Sequence, residues 1–273
     1  PIMDYGSSIW GSTSKNTHSD LIQNKAIRYY LGVHNFTPIP ALTGEMGWMP
    51  SKYCKYICML QLWNRIIKMS DERITKHVFN FEYQNNLHND NWCNNVREIL
   101  CMVGEDRIYD DKAVCDIDAI KNKLLGIAER EWKLQISSKP KLRTYVKFKD
   151  KFEVSDYVTH VKNRFNRSMI AIFRCGILQL HIETGRFNQT KVEDRKCFMC
   201  NTNMVEDEFH FLCQCPYYFA ERKSLYDYVI TRNGDFENFS DEEKLIFLMV
   251  EFNCKVGKFI NKAWQKRKLK MYN

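Results

Sequence analysis

The sequence predicts a mainly α-helical chain: a helical region, then a small module built on two cysteines, a histidine and a further cysteine, then terminal helices. Apolar residues recur at three- and four-residue spacing through most of the first half, the mark of helices with one buried face. Four of the eleven cysteines fall within residues 197 to 215, beside a histidine. Helical spacing returns after residue 240 and runs into a basic tail. With 273 residues, 44% of them hydrophobic and 14% aromatic, the chain can bury a real core, so global disorder is not expected.

Ser19 stands before Leu21, Ile22, Ala26, Ile27, Tyr30 and Leu31, and Gly32 ends the run, so a capped helix is expected over 20 to 31. Pro38 and Pro40 predict a loop after it. Tyr53, Tyr56, Ile57, Leu60, Trp63, Ile66 and Ile67 mark a helix with a wide apolar face over 51 to 68. Shorter helices are expected at 72 to 83 and 92 to 102, and a long one at 116 to 136 on the stripe Ile117, Ile120, Leu124, Ile127, Ala128 and Trp132. The Asn-rich segment 84 to 91 and the charged segment 104 to 112 read as surface loops. In the second, Asp110 and Asp111 follow Tyr109, but a polymerase metal motif needs an aromatic at position 108, where Ile108 stands, and apolar strands on both sides; the pair reads as loop. Residues 137 to 166 alternate basic and aromatic side chains, a pattern suited to a surface on which bases stack. Residues 168 to 182 are apolar and expected to be buried, and an acidic linker at 233 to 243 leads into helices at 241 to 252 and 254 to 270.

Charge is unevenly spread. Residues 1 to 120 carry 12 Lys/Arg against 14 Asp/Glu, 121 to 200 carry 18 against 8, 201 to 254 carry 4 against 11, and 255 to 273 carry 7 against none, for a net charge of +8. Two basic blocks flank an acidic one, and a basic block with interleaved aromatics is the footprint of a phosphate-backbone binder. The irregular cysteines of a long, Lys-rich chain without a signal peptide are expected to be reduced thiols, in cytosol or nucleus. No stretch approaches the roughly 18 apolar residues of a membrane span, so no membrane partner is expected. The opening PIMDYGSSIWG, which starts at Pro1, reads like the middle of a fold, and the chain is expected to be a fragment. No Ser-His-Asp, paired-carboxylate or phosphate-loop pattern points to a catalytic residue or to a small-molecule substrate.

The order Cys197, x2, Cys200, x9, His210, x4, Cys215 places two pairs of soft ligands on short arcs, as structural zinc sites require. Four protein ligands leave no open position, so the expected cofactor is one structural zinc ion that contributes folding free energy. Phe198, Phe209, Phe211, Tyr217 and Tyr218 supply a small core around it. Cys213 offers His210-x2-Cys213 as an alternative second pair.

The runs ILQLHIETGRF (177 to 187), DRKCFMCN (194 to 201) and DEFHFLCQCPYYFAER (207 to 222) resemble the C-terminal zinc-binding region of reverse transcriptases from non-LTR retrotransposons of animals. In that family a basic Gly-Arg segment precedes Cys-x2-Cys, followed by Glu-x-x-His, a Cys five residues on, and a Tyr-x3-Arg tail. Here Asp207, His210, Cys215, Tyr218 and Arg222 occupy those places, with Asp207 standing for the Glu. The family usually has an aliphatic residue at the position of Cys213, which implies that Cys215 is the ligand. PIMDYGSSIWG and GVHNFTPIPALTGEMGWMP more loosely resemble the end of the thumb-like region and the segment after it. The resemblance implies that the catalytic palm and fingers belong before Pro1, as a missing N-terminal polymerase domain, and that this fragment does not itself polymerise.

Four segments are therefore expected: a helical, thumb-adjacent region at 1 to 120, a basic aromatic linker at 121 to 190, a zinc-binding module at 191 to 231, and C-terminal helices with a basic tail at 232 to 273. The leading expectation is a non-catalytic module that binds template RNA, and possibly target DNA. Its candidate contacts are Lys139, Lys141, Arg143, Lys147, Lys149, Lys151, Arg164, Arg167, Arg186, Arg195 and Lys196. Arg186, beside Phe187, is the foremost base or phosphate contact, with a salt bridge to Glu183 as its alternative. Tyr145, Phe148 and Phe152 are stacking candidates, or half-buried packing. The rival expectation is a zinc-stabilised structural or protein-interaction module that turns an acidic surface around Glu206, Glu208 and Glu221 toward a partner.

Overall fold

Apolar spacing locates seven of the ten longer helices and misses those at Ile39–Met46, Arg164–Arg174 and Phe219–Ile230. A computed structural model describes residues 5–11, 17–85 and 91–272, and among these it contains ten helices of eight residues or more and no strand. They are α1 (Thr17–Leu31), α2 (Ile39–Met46), α3 (Ser51–Ile67), α4 (Ile74–Gln84), α5 (Trp92–Met102), α6 (Ile117–Ser137), α7 (Arg164–Arg174), α8 (Phe219–Ile230), α9 (Asp241–Glu251) and α10 (Asn253–Tyr272). The mainly α fold class is thus what the chain adopts, with the Cys/His cluster ahead of the terminal helices. No helix is long and apolar enough to cross a membrane among the described residues. Most of the Asn-rich loop expected at 84 to 91, and the first four residues of the PIMDYGSSIWG segment, lie outside the described residues.

Two expected loops are helical. Pro38 is the N-cap of α2 and Pro40 lies in its first turn, where a missing N–H costs nothing, so the prolines start a helix here. In the charged segment, Asp106–Asp110 is a short helix whose Tyr109 is buried while Asp110 and Asp111 are exposed, so the two aspartates are not a polymerase metal site.

The chain forms two compact units, one of residues 1–24 and 49–131, the other of residues 25–48 and 132–273. This division differs from the four segments expected. The basic linker, the cysteine module and the terminal helices share one core, in which Phe173, Phe211, Tyr218, Leu248 and Phe259 pack together, and no segment of it stands alone. In the first unit the core centres on Trp63, which stacks on Tyr109 at 5.5 Å and meets Phe79 edge-on at 5.4 Å. Asn64 of α3 donates to Cys115 O (2.8 Å) and accepts from its N–H (2.7 Å), pinning the segment that leads into α6.

In the second unit α7 and α10 lie in close contact, because Gly257 of α10 sits where a Cβ would come within 2.7 Å of Ile170. Tyr145, Phe148 and Phe152, the proposed stacking residues, are all buried in the core, so they offer no face to a base. The same core holds a buried ion pair. Arg174 of α7 donates from Nε and Nη2 to Glu45 of α2 (2.8 and 3.1 Å) and from Nη1 to Met249 O of α9 (2.9 Å). Burial alone would push the Glu45 carboxyl up, but the guanidinium outweighs it and holds the group below its ordinary range. Glu45→Gln, which leaves Arg174 buried without its counter-charge, is expected to cost about 3–5 kcal/mol at neutral pH. Because the folded value is depressed, this contribution is present above the ordinary carboxyl range and is lost as pH falls through the folded value. Urea midpoints of the two proteins should therefore differ at neutral pH and converge under acid; equal midpoints at neutral pH would show that the pair carries no net stability.

Candidate metal centre

The first two ligands sit on a hairpin. An antiparallel bridge pairs Lys196 with Val205, Cys197 N–H donates to Met204 O, and Glu206 N–H donates to Arg195 O, both at 2.9 Å. Asn203 takes the left-handed conformation (φ 56°) that lets the turn close, an arrangement Asn tolerates better than most residues. Met199 N–H then donates to Cys197 Sγ (3.4 Å), curling the turn so that Cys200 faces the same point as Cys197.

The second pair depends on an unusual turn. Asp207 Oδ1 accepts from His210 N–H (2.7 Å), which caps the segment, and residues His210–Gln214 form a π-turn closed by Cys215 N–H on His210 O at 2.7 Å. An α-turn would close one residue earlier. The extra residue brings Cys215 to the cluster and leaves Cys213 buried beside Tyr226 and Arg222, where burial pushes its thiol up to about 12. Arg222 secures the turn from behind by donating to Leu212 O (2.9 Å) and Cys215 O (2.7 Å). The Asp-x-x-His and Tyr-x3-Arg patterns thus have local structural roles, a cap and a clamp, with the Tyr218 ring in the core.

The ligand atoms of Cys197, Cys200, His210 and Cys215 lie within 4.8 Å of one another. Cys197 Sγ is 3.9 Å from Cys215 Sγ, and Cys200 Sγ is 3.3 Å from His210 Nε2. A tetrahedron with metal–sulfur bonds of about 2.3 Å has edges of roughly 3.8 Å, so the group needs little adjustment to hold one metal ion. The hydrogen bond with Cys215, with burial, pushes the Cys197 thiol up to about 12, while the same contact lowers Cys215. Burial pulls His210 down, but the Cys197 and Cys200 sulfurs outweigh it and raise its pKa.

Glu206, expected on an acidic surface, and Arg267, which sequence reasoning passed over, support this cluster. Glu206 is 1% exposed, accepts the Cys197 thiol (3.4 Å) and His181 N–H (2.8 Å), and is neutralised by Arg267 of α10, which forks onto both its oxygens. Lys270 also reaches Met199 O (3.2 Å), and Lys266 reaches Tyr217 O (2.9 Å) and Glu221 (3.1 Å). A signal for Arg267 was present: it is the one arginine among the seven basic residues of the tail, and a forked guanidinium suits buried pairs better than an ammonium.

The other sequence candidates separate into internal and outward-facing residues. Arg143 bridges Glu183 and Glu208 at 2.8 Å each, Lys149 is buried with Nζ on Glu153 O (2.6 Å), and Arg195 holds Ile182 O and Thr190 O (both 2.7 Å), so these three serve the fold. Lys147 pairs with Glu242 at the surface (2.8 Å), and Arg186 pairs with Glu183 (3.3 Å), the alternative foreseen for it. Lys141 lies 4.0 Å from Glu183 and over the Phe36 ring. Arg164 and Arg167 lie over Tyr29 and Tyr30, and Lys139, Lys151 and Lys196 form no ion pair among the described residues. The acidic surface expected around Glu206 and Glu208 does not exist: both are 1% exposed and neutralised internally, and Glu221 is paired to Lys266. No family model, curated protein or solved structure matches the chain.

Two outcomes are expected. Cys215→Ser should abolish stoichiometric metal binding while Cys213→Ser retains it, as metal analysis of the two purified variants will show; the reverse result would move the ligand to Cys213. Arg267→Ala leaves Glu206 buried and uncompensated beside a ligand sulfur, so it should cost about 3–5 kcal/mol in urea unfolding and weaken metal retention against a chelator. Unchanged stability and retention in that variant would deny the pair its role.

Proposed function

We propose that this chain is a non-catalytic nucleic-acid-binding module organised by one structural zinc ion, the C-terminal part of a reverse transcriptase of the non-LTR retrotransposon kind that contacts template RNA and possibly target DNA. Three thiolates and an imidazole are a zinc donor set, and with all four positions filled by protein the ion serves the fold and holds no reactant. The catalytic residues of such a polymerase belong to its palm and fingers.

The observation that carries the nucleic-acid reading is the packed pair α7 and α10. α7 holds three basic residues and α10 seven, and neither has an acidic one. Arg174, Lys266 and Arg267 are spent on internal ion pairs. Arg164, Arg167, Lys255, Lys258, Lys262, Lys268 and Lys270 form no ion pair among the described residues, and exposed Tyr29 and Phe165 lie near or on α7. Clustered, uncompensated cations with rings among them attract a phosphate backbone and gain from counterion release. The rival protein-interaction reading relied on an acidic face that the burial of Glu206 and Glu208 does not leave.

Arg164, Lys258 and Lys262 are exposed, so neutralising them spares the core. The triple change to Ala should weaken binding of a labelled RNA at least tenfold and flatten the log–log salt slope by about two units, at roughly 0.7 per lost contact on single strands. Anisotropy titrations at several salt concentrations measure both. No affinity for RNA or DNA at low salt in the wild-type chain, or an unchanged slope in the variant, would refute this reading.

A further inference from the structure

A cleft of about 400 Å³ in the second unit has a composition that neither the zinc cluster nor the helix pair explains. Exposed Phe36 and Phe187 line it together with Lys139, Lys141, Arg186 and Glu183. The size falls in the range of about 300–1,000 Å³ typical of small-ligand sites. Phe187 is 83% exposed, and Phe36 is 52% exposed although its ring lies against that of His34 at 4.1 Å. Pro38 and Pro140 also border the cleft and stiffen the backbone beside it.

The charge at the cleft is one-sided. Glu183 is 6% exposed and meets Arg143 at 2.8 Å, Arg186 at 3.3 Å and Lys141 at 4.0 Å; Arg143 is shared with Glu208, so three cations face two carboxylates and a positive excess remains. Lys139 forms no ion pair among the described residues. The Lys141 ammonium lies 4.9 Å over the Phe36 ring, so cation and ring already meet on one wall. Exposed aromatic faces bordered by spare cations match a planar base attached to a phosphate, since every base has a π-face and every nucleotide an anion.

We infer that this cleft binds one unpaired nucleotide of a single strand, the base stacking on Phe187 or Phe36 and the phosphate held by Lys139, Lys141 and Arg186. A base within a duplex is stacked and paired and cannot enter, so the cleft selects single-stranded over double-stranded nucleic acid. The inference deepens the nucleic-acid reading and rests on it for the ligand's identity; Phe36 also borders Met169 and Ile172 of α7 and Trp264 of α10, whereas Lys139, Lys141, Arg186 and Phe187 lie on neither helix.

The test uses the full chain with its metal. Fluorine NMR of chain labelled with fluorophenylalanine, its signals assigned through Phe36→Leu and Phe187→Leu, follows titration with a uridine dinucleotide, and anisotropy follows a single-stranded oligonucleotide and a blunt duplex. The Phe36 and Phe187 resonances should move with the dinucleotide. The double variant should bind the single strand about tenfold more weakly, with duplex affinity and salt slope unchanged; both rings are exposed, so folding is spared. If the double variant binds the single strand as tightly as wild type, or loses duplex binding equally, the cleft assignment is overturned while the nucleic-acid reading stands. Movement of both resonances without any oligonucleotide affinity would leave the cleft in place and remove the helix-pair reading. If neither resonance moves and no oligonucleotide binds, both fall. Displacement of the dinucleotide by an equal concentration of a phosphotyrosine peptide would assign the cleft to phosphopeptides and overturn the nucleotide.

Discussion

Three glutamates lie fully buried in the second unit, and each depends on an arginine brought from a distant stretch of chain. Glu45 is held by Arg174 across 129 residues of sequence, Glu208 by Arg143 across 65, and Glu206 by Arg267 across 61. A carboxylate removed from water without a partner costs more than most single interactions return, so none of these positions is tenable until both ends of its pair have arrived. The pairs tie α2 to α7, the chain after α6 to the π-turn, and α10 to the cysteine hairpin. The helices and the cysteine module share one core because these long-range charge pairs close it.

The metal centre inherits this constraint. Glu206 sits 3.4 Å from Cys197 Sγ, and a carboxylate so close to a metal-ligating thiolate would repel it were Arg267 not forked onto both oxygens. The terminal helix is therefore part of the cluster's support, and Lys270 and Lys266 extend that support to the backbone of the hairpin and of the segment after Cys215. The π-turn makes the complementary contribution. By adding one residue to the turn it selects Cys215 over Cys213. Two sulfurs two residues apart thus have different fates through backbone geometry alone.

The same pairs redistribute the positive charge. Counted along the chain, residues 121 to 200 are the most basic block. In three dimensions Arg143, Lys149, Arg174 and Arg195 of that block are consumed inside, and Trp132, Tyr145, Phe148, Phe152, Tyr157 and Phe173 are core, while Phe165, Phe187 and Phe198 stay exposed. Among the residues left outward, one group lies on α7 and α10 and another around the Phe36 and Phe187 cleft. A basic block in sequence is therefore not a basic surface, because a guanidinium able to fork onto phosphate is equally able to fork onto a buried carboxylate.

Helical periodicity by itself determined the class of the fold and most helix positions, since a buried face every 3.6 residues is a local signature. Ligand spacing by itself located the cysteine and histidine cluster, because two short arcs of soft ligands within nineteen residues have few other uses. The helix at Ile39–Met46 was obscured by prolines that turned out to cap and begin it. Which basic side chains face outward, which glutamates lie inside, and which cysteine completes the cluster were decided only by the tertiary structure. Each of those outcomes depends on a partner tens of residues away or on the pitch of a single turn, and neither leaves a period in the sequence.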